Sequence, residues 1–372
     1  MQYLGQDIPK LGFGLMRPPM KDDEIDLDEL ARMVDVFMDA GFTYFDTAPS
    51  YLDGKSEAAI RKVLVERYPR SSYQLATKLP AWSVSSPEEA HRMIEESLER
   101  TGARYFDFYL LHNLNTTLEP YFDKYGIWDL AVQQKRAGTV RHWGFSFHDK
   151  PDFLNELIAK HPDAEFVQLQ INYADWDNKA IESRRNFEVA RANDKPVIIM
   201  EPVKGGSLAN PPKEVAKEFR KVNPVASLSS WAIRFAASLP QVITVLSGMS
   251  NLEQMRDNVD TMTHFEPFNG DELMAVTMAQ KIIADLNAIE CTDCRYCMAH
   301  CPAHINIPGI FKALNNYLIY DNRSGAERSY AWETRNGGCA SDCLHCGQCD
   351  DICPQRIGPM KELEAAVQVF GR

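Results

Sequence analysis

Residues 106–146 read FDFYLLHNLNTTLEPYFDKYGIWDLAVQQKRAGTVRHWGFS, and this stretch shows how the first two thirds of the chain are built. The runs Phe106–Leu111 and Val140–Ser146 are rich in aromatic and β-branched residues and too short for helices, so we predict two strands. Between them, Tyr121–Ala137 has the length and the amphipathic pattern of a helix. A strand, a helix and a strand in succession are typical of α/β proteins with a parallel sheet.

The same alternation recurs along the N-terminal part of the chain. The predicted strands are Leu11–Met16, Phe42–Asp46, Tyr73–Lys78, Phe106–Leu111, Val140–Ser146, Phe166–Gln170, Pro196–Met200 and Val242–Ser247. Eight strand–helix units in about 260 residues match the size and rhythm of a (β/α)8 TIM barrel. A doubly wound open sheet is the alternative, but Gly12–Arg17 fails the G-x-G-x-x-G dinucleotide pattern at its last position. We therefore assign residues 1–265 to a barrel of the α/β class.

Length and composition narrow the class of protein further. The 372 residues suffice for one large domain and a smaller one, and the 45% hydrophobic and 25% charged residues argue against disorder. The net charge of -12, from 40 basic and 52 acidic residues, gives no electrostatic footprint for nucleic acid or an anionic membrane. The sequence shows neither an apolar run long enough for a membrane span nor a secretory signal, so we expect a cytoplasmic protein.

The nine cysteines all lie at or after Cys291. They contain two copies of the run C-x2-C-x2-C-x3-C-P, which begin at Cys291 and Cys343. Bacterial ferredoxins bind [4Fe–4S] clusters with this run, and the fourth cysteine of each copy ligates the other cluster. We therefore predict two [4Fe–4S] clusters. The first ligand set is Cys291, Cys294, Cys297 and Cys353, and the second is Cys343, Cys346, Cys349 and Cys301.

We assign these clusters to a C-terminal domain of residues 271–372. A zinc ribbon needs two cysteine pairs rather than two four-cysteine runs, and disulfides do not suit a cytosolic chain. Helix-like Pro308–Tyr320 lies in the long segment between Cys301 and Cys343, so we expect a small, mostly α-helical ferredoxin-type domain. Cys339 is left over, and we interpret it as a non-ligating cysteine rather than as an alternative ligand. Three histidines beside the ligands are interpreted as cluster neighbours or surface residues: His300, His304 and His345.

Four polar side chains follow three consecutive predicted strands. Asp46 ends the second strand, and Tyr51 follows it in the loop. Lys78 ends the third strand, and His112 lies at the end of the fourth. Because the working residues of a TIM barrel lie at the carboxyl ends of its strands, we expect these four groups to meet at one mouth of the barrel.

With these motifs the chain resembles the aldo-keto reductase superfamily, and within it the members with a C-terminal two-cluster ferredoxin domain. The matching motifs are Phe45-Asp46-Thr47-Ala48-x2-Tyr51, Lys78, Leu110-Leu111-His112, Gly144-Phe145-Ser146, Gln168-Leu169-Gln170-Ile171-Asn172-Tyr173, Glu201-Pro202-Val203-Lys204-Gly205-Gly206 and Ser247-Gly248-Met249-Ser250. The match covers essentially the whole chain. It implies an NAD(P)-dependent oxidoreductase that interconverts the carbonyl and alcohol forms of a small-molecule substrate.

The resemblance also implies a role for each of the four polar residues. Tyr51 would donate a proton to the developing alkoxide as general acid. Lys78, held by Asp46, would stabilise the tyrosinate left behind and bring the tyrosine pKa down from about 10. His112 would orient the carbonyl oxygen.

The same resemblance points to the residues that would bind the nicotinamide cofactor. They are Ser146 and Gln170 for the carboxamide, Lys204, Gly205, Gly206, Ser247, Gly248 and Met249 for the phosphates, and Gln254 and Asn258 for the adenine. Three positions depart from the family pattern: Phe147 follows Ser146, Met200 stands where an aromatic residue often stacks on the nicotinamide, and Asn251 replaces a frequent arginine. NADP is therefore favoured over NAD only by family habit, with Lys204 or Arg256 as substitute cations.

The sequence is compatible with three functional relationships between the barrel and the clusters. A hydride carrier moves two electrons whereas a [4Fe–4S] cluster normally moves one, and no flavin signature is visible. In one interpretation the barrel is a carbonyl reductase and the clusters are structural or dock a partner. In another the clusters relay electrons between a redox partner protein and a substrate or flavin at the barrel mouth. In a third the barrel is idle and the protein is an electron-transfer or regulatory module. Candidate substrate-pocket residues are Met16, Arg17, Trp82, Asn113 and Tyr173.

Overall fold

The computed structural model describes residues 3–5, 7–286 and 289–371. They form two compact units. The barrel unit consists of the described residues of Met1–Trp176, Ile181–Pro202 and Ser230–Phe268, and the C-terminal unit of those of Asp177–Ala180, Val203–Ser229 and Asn269–Arg372. Residues 203–229, which the sequence prediction assigned to the barrel domain, thus group with the C-terminal unit.

The strands lie in the barrel unit. They are β1 (Leu11–Gly14), β2 (Met20–Lys21), β3 (Glu24–Ile25), β4 (Tyr44–Asp46), β5 (Gln74–Leu79), β6 (Phe106–Leu114), β7 (Val140–Phe147), β8 (Val167–Gln170), β9 (Val197–Met200) and β10 (Val242–Ser247). Eight of them close a parallel barrel in the order β1-β10-β9-β8-β7-β6-β5-β4. Each of the eight predicted strands appears in this barrel, so the predicted fold class is confirmed and the open sheet is excluded.

The two remaining strands form an unpredicted antiparallel hairpin, β2–β3. Its turn residues Asp22 and Asp23 have φ values of 51° and 62°. Aspartate tolerates this left-handed region, and two such residues suit a two-residue hairpin turn. Strands of two residues each carry no alternation for a sequence pattern to detect.

The helices are mostly short and amphipathic. They are α1 (Leu27–Asp39), α2 (Lys55–Ile60), α3 (Pro87–Thr101), α4 (Glu119–Lys124), α5 (Ile127–Ala137), α6 (Pro151–Lys160), α7 (Ser183–Ala192), α8 (Lys213–Val222), α9 (Leu228–Ser238), α10 (Leu252–Thr263), α11 (Gly270–Asp285), α12 (Tyr296–Ala299), α13 (Ile307–Tyr320), α14 (Arg323–Glu333), α15 (Gln348–Ile352) and α16 (Pro359–Phe370). Local signals set their ends. For example, α3 begins where the Ser86 hydroxyl accepts a hydrogen bond from the Glu89 amide, and it ends at Gly102 in the left-handed region.

Each unit has its own apolar core. Side chains of the barrel strands fill the barrel interior, including Tyr44, Ala76, Phe108, Leu110, Phe166 and Ile198. A second core lies in the C-terminal unit and includes Ile289, Ile305, Ile310, Phe311, Leu314, Tyr330 and Leu363. The C-terminal unit is helical, as predicted. Within the part of the chain that the structure describes, no helix combines the length and apolar character that a bilayer crossing requires.

Candidate functional site

Lys78 and Asp46 form a buried ion pair at the carboxyl ends of neighbouring strands. Nζ of Lys78 lies 2.5 Å from Oδ1 of Asp46 and donates a further hydrogen bond of 2.8 Å to the Thr47 carbonyl. The Lys78 side chain is 0% exposed and the Asp46 side chain 3%. Removing either partner would leave the other as an unpaired charge buried away from water, so each side chain stabilises the other in its position.

Tyr51 begins a short 3-10 turn (Tyr51–Gly54) that follows β4, the strand that ends at Asp46. Leu52 and Asp53 in this turn have φ values of 50° and 53°, an uncommon conformation for residues other than glycine. The turn places the Tyr51 ring centroid 4.7 Å from Nζ of Lys78. The phenol therefore lies within the electrostatic reach of a buried ammonium group.

His112 completes this group of side chains from strand β6. Its ring centroid is 6.0 Å from that of Tyr51, at an interplanar angle of 80°, and 5.2 Å from that of Trp82. Nδ1 of His112 is buried and has no hydrogen-bond partner among the described residues. The structure thus brings together the four residues predicted to be catalytic, with Trp82 from the predicted substrate pocket beside them.

Burial is the largest single influence on the pKa of each of these groups. It raises the pKa of Tyr51, and the charge of Lys78 opposes this rise without cancelling it. Burial lowers the pKa of Lys78, but Asp46 and Tyr51 outweigh it and the pKa lies above its ordinary value. Burial and the charge of Lys78 hold the pKa of His112 well below its ordinary value, so the imidazole is neutral at pH 7. Lys78 thus lowers the pKa of Tyr51, as expected, but the larger effect of burial, which the sequence does not reveal, leaves the net pKa above its ordinary value.

The cofactor candidates in the barrel unit are mostly held by local hydrogen bonds. The buried Ser146 hydroxyl accepts a 2.7 Å hydrogen bond from the Asn113 amide, and Nε2 of Gln170 donates to Asp175 at 3.2 Å. After β10, the Ser247 hydroxyl accepts a 2.9 Å hydrogen bond from the buried Asn258 amide. Three further candidates lie near this strand end, and they are the exposed Gly248, the buried Met249 and the exposed Gln254. The Gln254 side chain accepts a hydrogen bond from the backbone N–H of Ser250. The side-chain amide of Asn258 donates its hydrogen bond to Ser247.

The three remaining cofactor candidates belong to the C-terminal unit. Lys204, Gly205 and Gly206 open a 3-10 segment, Lys204–Ala209, and have φ values of 51°, 62° and 96°. Two adjacent glycines adopt these angles without the strain that a side chain would add. Successive residues in the left-handed region turn the backbone sharply, which suits close approach of a ligand to main-chain amides.

Sequence reasoning missed Glu201 as a site residue. Its carboxylate forms a 3.3 Å ion pair with Arg17, and its own backbone has a φ of 56°. Its carbonyl accepts a hydrogen bond from the Asn172 side chain. The charge of Glu201 also reaches Tyr51, whose pKa it helps to raise. Its place at the end of β9 was the available signal, because polar residues at barrel strand ends line the mouth.

The cysteines of the C-terminal unit surround two cavities. Cys291, Cys294, Cys297 and Cys353 line one cavity, together with Pro308 and Phe311. Cys301, Cys343, Cys346 and Cys349 line the other. Each cavity thus takes its fourth cysteine from the other run. Among the described residues, no three His, Cys, Asp or Glu side chains are close enough to bind one metal ion directly. Two four-thiol cavities instead fit a cluster each.

Cys339 lines neither cavity. Its sulfur accepts a hydrogen bond from the Asp342 amide, and its own amide donates to the Asp342 carboxylate at 2.7 Å. The pair caps the short 3-10 turn Ala340–Asp342 that leads into Cys343. His300 lies at the rim of the cavity that contains Cys301, and the His345 imidazole is 3.6 Å from the Glu364 carboxylate.

The closed parallel barrel and the cysteine-lined cavities define a class of protein: a (β/α)8 barrel joined to a helical, cysteine-rich module. Residues 10–280 match the model of the aldo/keto reductase family, so the chain belongs to that family and is an aldo-keto reductase-type oxidoreductase. Residues 290–357 match the 4Fe-4S dicluster domain. The family predicted from the motifs is thereby confirmed.

Relatives and solved structures agree with this assignment. An uncharacterized oxidoreductase of Bacillus subtilis, YqkF, is 24% identical over 289 residues, which are 68% of this chain and 87% of the relative. An aldo-keto reductase of Bacillus halodurans in its holo form superimposes with a TM-score of 0.61 at 22% identity and covers 74% of this chain and 93% of its own. A Klebsiella pneumoniae aldo/keto reductase in complex with NADP and acetate gives a TM-score of 0.59 at 18% identity, covering 73% and 92%.

Proposed function

We propose that this protein uses NAD(P)H to interconvert a small carbonyl compound, an aldehyde or ketone, and its alcohol, with Tyr51 as general acid and base. The observation that carries the proposal is the buried Lys78–Asp46 pair, whose ammonium group lies 4.7 Å from the Tyr51 ring centroid. When bound, the reduced nicotinamide supplies a hydride to the carbonyl carbon. Tyr51 delivers a proton to the carbonyl oxygen, and Lys78 stabilises the tyrosinate that remains.

His112 orients the substrate rather than carrying a charge. Because burial keeps its pKa well below the ordinary value, the neutral ring offers one N–H donor and one acceptor at neutral pH. The donor nitrogen holds the carbonyl oxygen toward Tyr51. Trp82, whose ring centroid lies 5.2 Å from that of His112, shields this position from water.

The cofactor proposal assigns one part of the dinucleotide to each set of residues. Ser146 and Gln170 hold the carboxamide, Lys204, Gly205, Gly206, Ser247, Gly248 and Met249 hold the phosphates, and Gln254 and Asn258 lie nearest the adenine. The Klebsiella pneumoniae structure contains NADP, which supports NADP as the first choice. The side chain of Asn251 is uncharged and caps α10 by accepting a hydrogen bond from the backbone N–H of Gln254, so a cation for a 2′-phosphate has to come from another residue. Lys204 or Arg256 supplies that charge in the proposal.

For the C-terminal unit we propose two [4Fe–4S] clusters with crossed ligand sets, one set for each of the two cavities. The match of residues 290–357 to a dicluster domain supports two clusters. Bound there, they hold together a unit whose apolar core includes Cys349. Residues 1–265 and 271–372 remain the proposed functional domains.

Electron exchange with a redox partner protein is a second candidate role for the clusters. The observation in its favour is the exposure of Cys294 and Cys346, one cysteine in each cavity lining. Exposed ligands bring a cluster close enough to solvent for a docked protein to reach it. In this version the two cysteine sets would hold clusters that supply single-electron transfer between a partner protein and a substrate or flavin at the barrel mouth.

One experiment separates the two roles. The protein is purified without oxygen, mixed with NADPH or NADH and a panel of aldehydes and ketones, and followed by nicotinamide absorbance, cluster bleaching and EPR. Carbonyl-dependent oxidation of the nicotinamide with unbleached clusters is the expected result. Cluster reduction by the nicotinamide would favour the relay. If the protein bound neither NADPH nor NADH, that result would overturn the proposed function.

A further inference from the structure

The hydroxyl group of Ser207 is clasped by two asparagines inside the C-terminal unit. Oγ of Ser207 donates a 3.0 Å hydrogen bond to Oδ1 of Asn316 and accepts a 3.0 Å hydrogen bond from Nδ2 of Asn322. The Ser207 side chain belongs to a residue that is 2% exposed. A buried hydroxyl needs such partners, and here one donor and one acceptor satisfy it. We call Ser207, Asn316 and Asn322 the clasp.

The clasp joins the predicted phosphate loop to two helices. Ser207 directly follows Lys204, Gly205 and Gly206 in the 3-10 segment Lys204–Ala209. Asn316 lies near the end of α13, and Asn322 is the N-cap of α14. Oδ1 of Asn322 accepts a 3.0 Å hydrogen bond from the backbone N–H of Gly325, which caps α14. Nδ2 of the same side chain donates the hydrogen bond to Ser207.

Helix α13 also contacts the cluster cavity. Pro308 and Phe311, near its beginning, line the cavity of Cys291, Cys294, Cys297 and Cys353. Asn315, the neighbour of Asn316, binds both backbone groups of Ile289: its Oδ1 accepts the amide at 3.0 Å and its Nδ2 donates to the carbonyl at 2.8 Å. Ile289 precedes the first cluster cysteine, Cys291, by only two residues. One helix therefore touches the cluster-binding segment at one place and the loop at another.

We propose that the clasp positions the loop that binds the dinucleotide phosphates, so that helices α13 and α14 of the C-terminal unit set the affinity for the cofactor. This inference rests on the proposed function of Lys204, Gly205 and Gly206. Lys204 has a φ of 51°, a strained conformation for a residue with a side chain, which persists only when its surroundings fix it. A loop already fixed in this shape loses less conformational entropy when it binds a phosphate.

The test compares two asparagine variants with the same added charge. Asn316→Asp keeps the oxygen that accepts the Ser207 hydrogen bond. Asn322→Asp keeps the oxygen that caps α14 but loses the nitrogen that holds Ser207. Ser207→Ala removes the clasp entirely. Each full-length protein is purified without oxygen, its iron and sulfide are counted, and the Kd for NADPH is measured by fluorescence next to kcat for one carbonyl substrate.

We expect Ser207→Ala and Asn322→Asp to raise the Kd for NADPH by roughly five- to tenfold, with full iron content and kcat within about twofold of wild type. Asn316→Asp should bind NADPH as the wild type does. Equal effects of the two aspartate variants would show that charge, not the clasp, moves the affinity, and would overturn the inference. So would unchanged affinity in Ser207→Ala, or a parallel fall of iron content, kcat and affinity. Wild-type protein that binds neither NADPH nor NADH would instead overturn the proposed function.

Discussion

Nζ of Lys78 lies 4.7 Å from the centre of the Tyr51 ring while it holds the Asp46 carboxylate at 2.5 Å. The ammonium group of Lys78 is thus fixed by its ion pair with Asp46 and at the same time places a positive charge beside the Tyr51 ring. Because Asp46 fixes the lysine, the lysine can stabilise negative charge on the phenol without first giving up a solvent shell. This relationship supports the proposed role of Tyr51 as the proton donor.

Tyr51→Phe should lower kcat for carbonyl reduction by about 10²- to 10⁴-fold, because the variant lacks the only proton that we assign to the alkoxide. The Kd for NADPH should stay within about twofold of wild type, since the ring remains. Steady-state kinetics and fluorescence titration measure the two quantities. Tyr121→Phe, at an exposed tyrosine of α4, is the matched control and should behave as wild type. Near-normal turnover of Tyr51→Phe would refute the assignment.

The pH profile follows from the direction of two shifts. Burial raises the pKa of Tyr51, so its hydroxyl keeps the proton needed for reduction beyond the range of a free phenol, near pH 10. Burial and Lys78 lower the pKa of His112, so it stays neutral until the pH falls well below about 6.5. We expect kcat/KM for reduction to be flat from about pH 6.5 to about pH 9. A titration of kcat/KM centred near pH 7.5 in steady-state kinetics would contradict one of these two directions.

Paired cysteine variants can establish which thiols share a cluster. Cys294→Ala with Cys353→Ala removes two ligands from one cavity, so one intact [4Fe–4S] cluster and about half of the iron should remain. Cys294→Ala with Cys301→Ala removes one ligand from each cavity, so no fully ligated cluster should remain. Iron analysis and EPR after reduction distinguish the two proteins. The opposite ranking would mean that each run binds its own cluster.

Gly144 of strand β7 lies in tight contact with Phe166, the residue just before strand β8. A Cβ at this position would collide with the backbone oxygen of Phe166. We expect Gly144→Ala to cost about 3 kcal/mol of unfolding free energy, measured as a lower midpoint of thermal unfolding. Gly270→Ala, at the exposed start of α11 with open space around it, is the control and should unfold as wild type or slightly later. An unchanged midpoint in Gly144→Ala would show that the two strands separate readily.

The barrel strands were predictable because each is a short apolar run between helices. For example, the strand predicted over Phe106–Leu111 spans Phe106–Leu114 in the structure. The convergence of Asp46, Tyr51, Lys78 and His112 was also predictable, because parallel strands in a closed barrel bring their carboxyl ends to one rim. The crossed cysteine sets followed from the spacing of the two runs, and the two cavity linings reproduce them.

Other features depend on burial and on long-range contacts, which leave little trace in a sequence. The net direction of the Tyr51 pKa shift depends on desolvation by surrounding groups. The ion pair of Arg17 with Glu201 joins residues far apart in the chain. Ser207 gave no signal, because its partners Asn316 and Asn322 lie more than a hundred residues later. The hairpin β2–β3 is too short for its residues to alternate visibly.

Neither four-cysteine cavity is made by one stretch of chain. Cys353 completes the cavity of Cys291, Cys294 and Cys297, and Cys301 completes the other. While the protein is being synthesised, the first run therefore waits for a thiol that emerges from the ribosome much later. With the proposed crossed ligand sets, the first cluster would be fully ligated only after translation has passed Cys353, and the second only after it has passed Cys349.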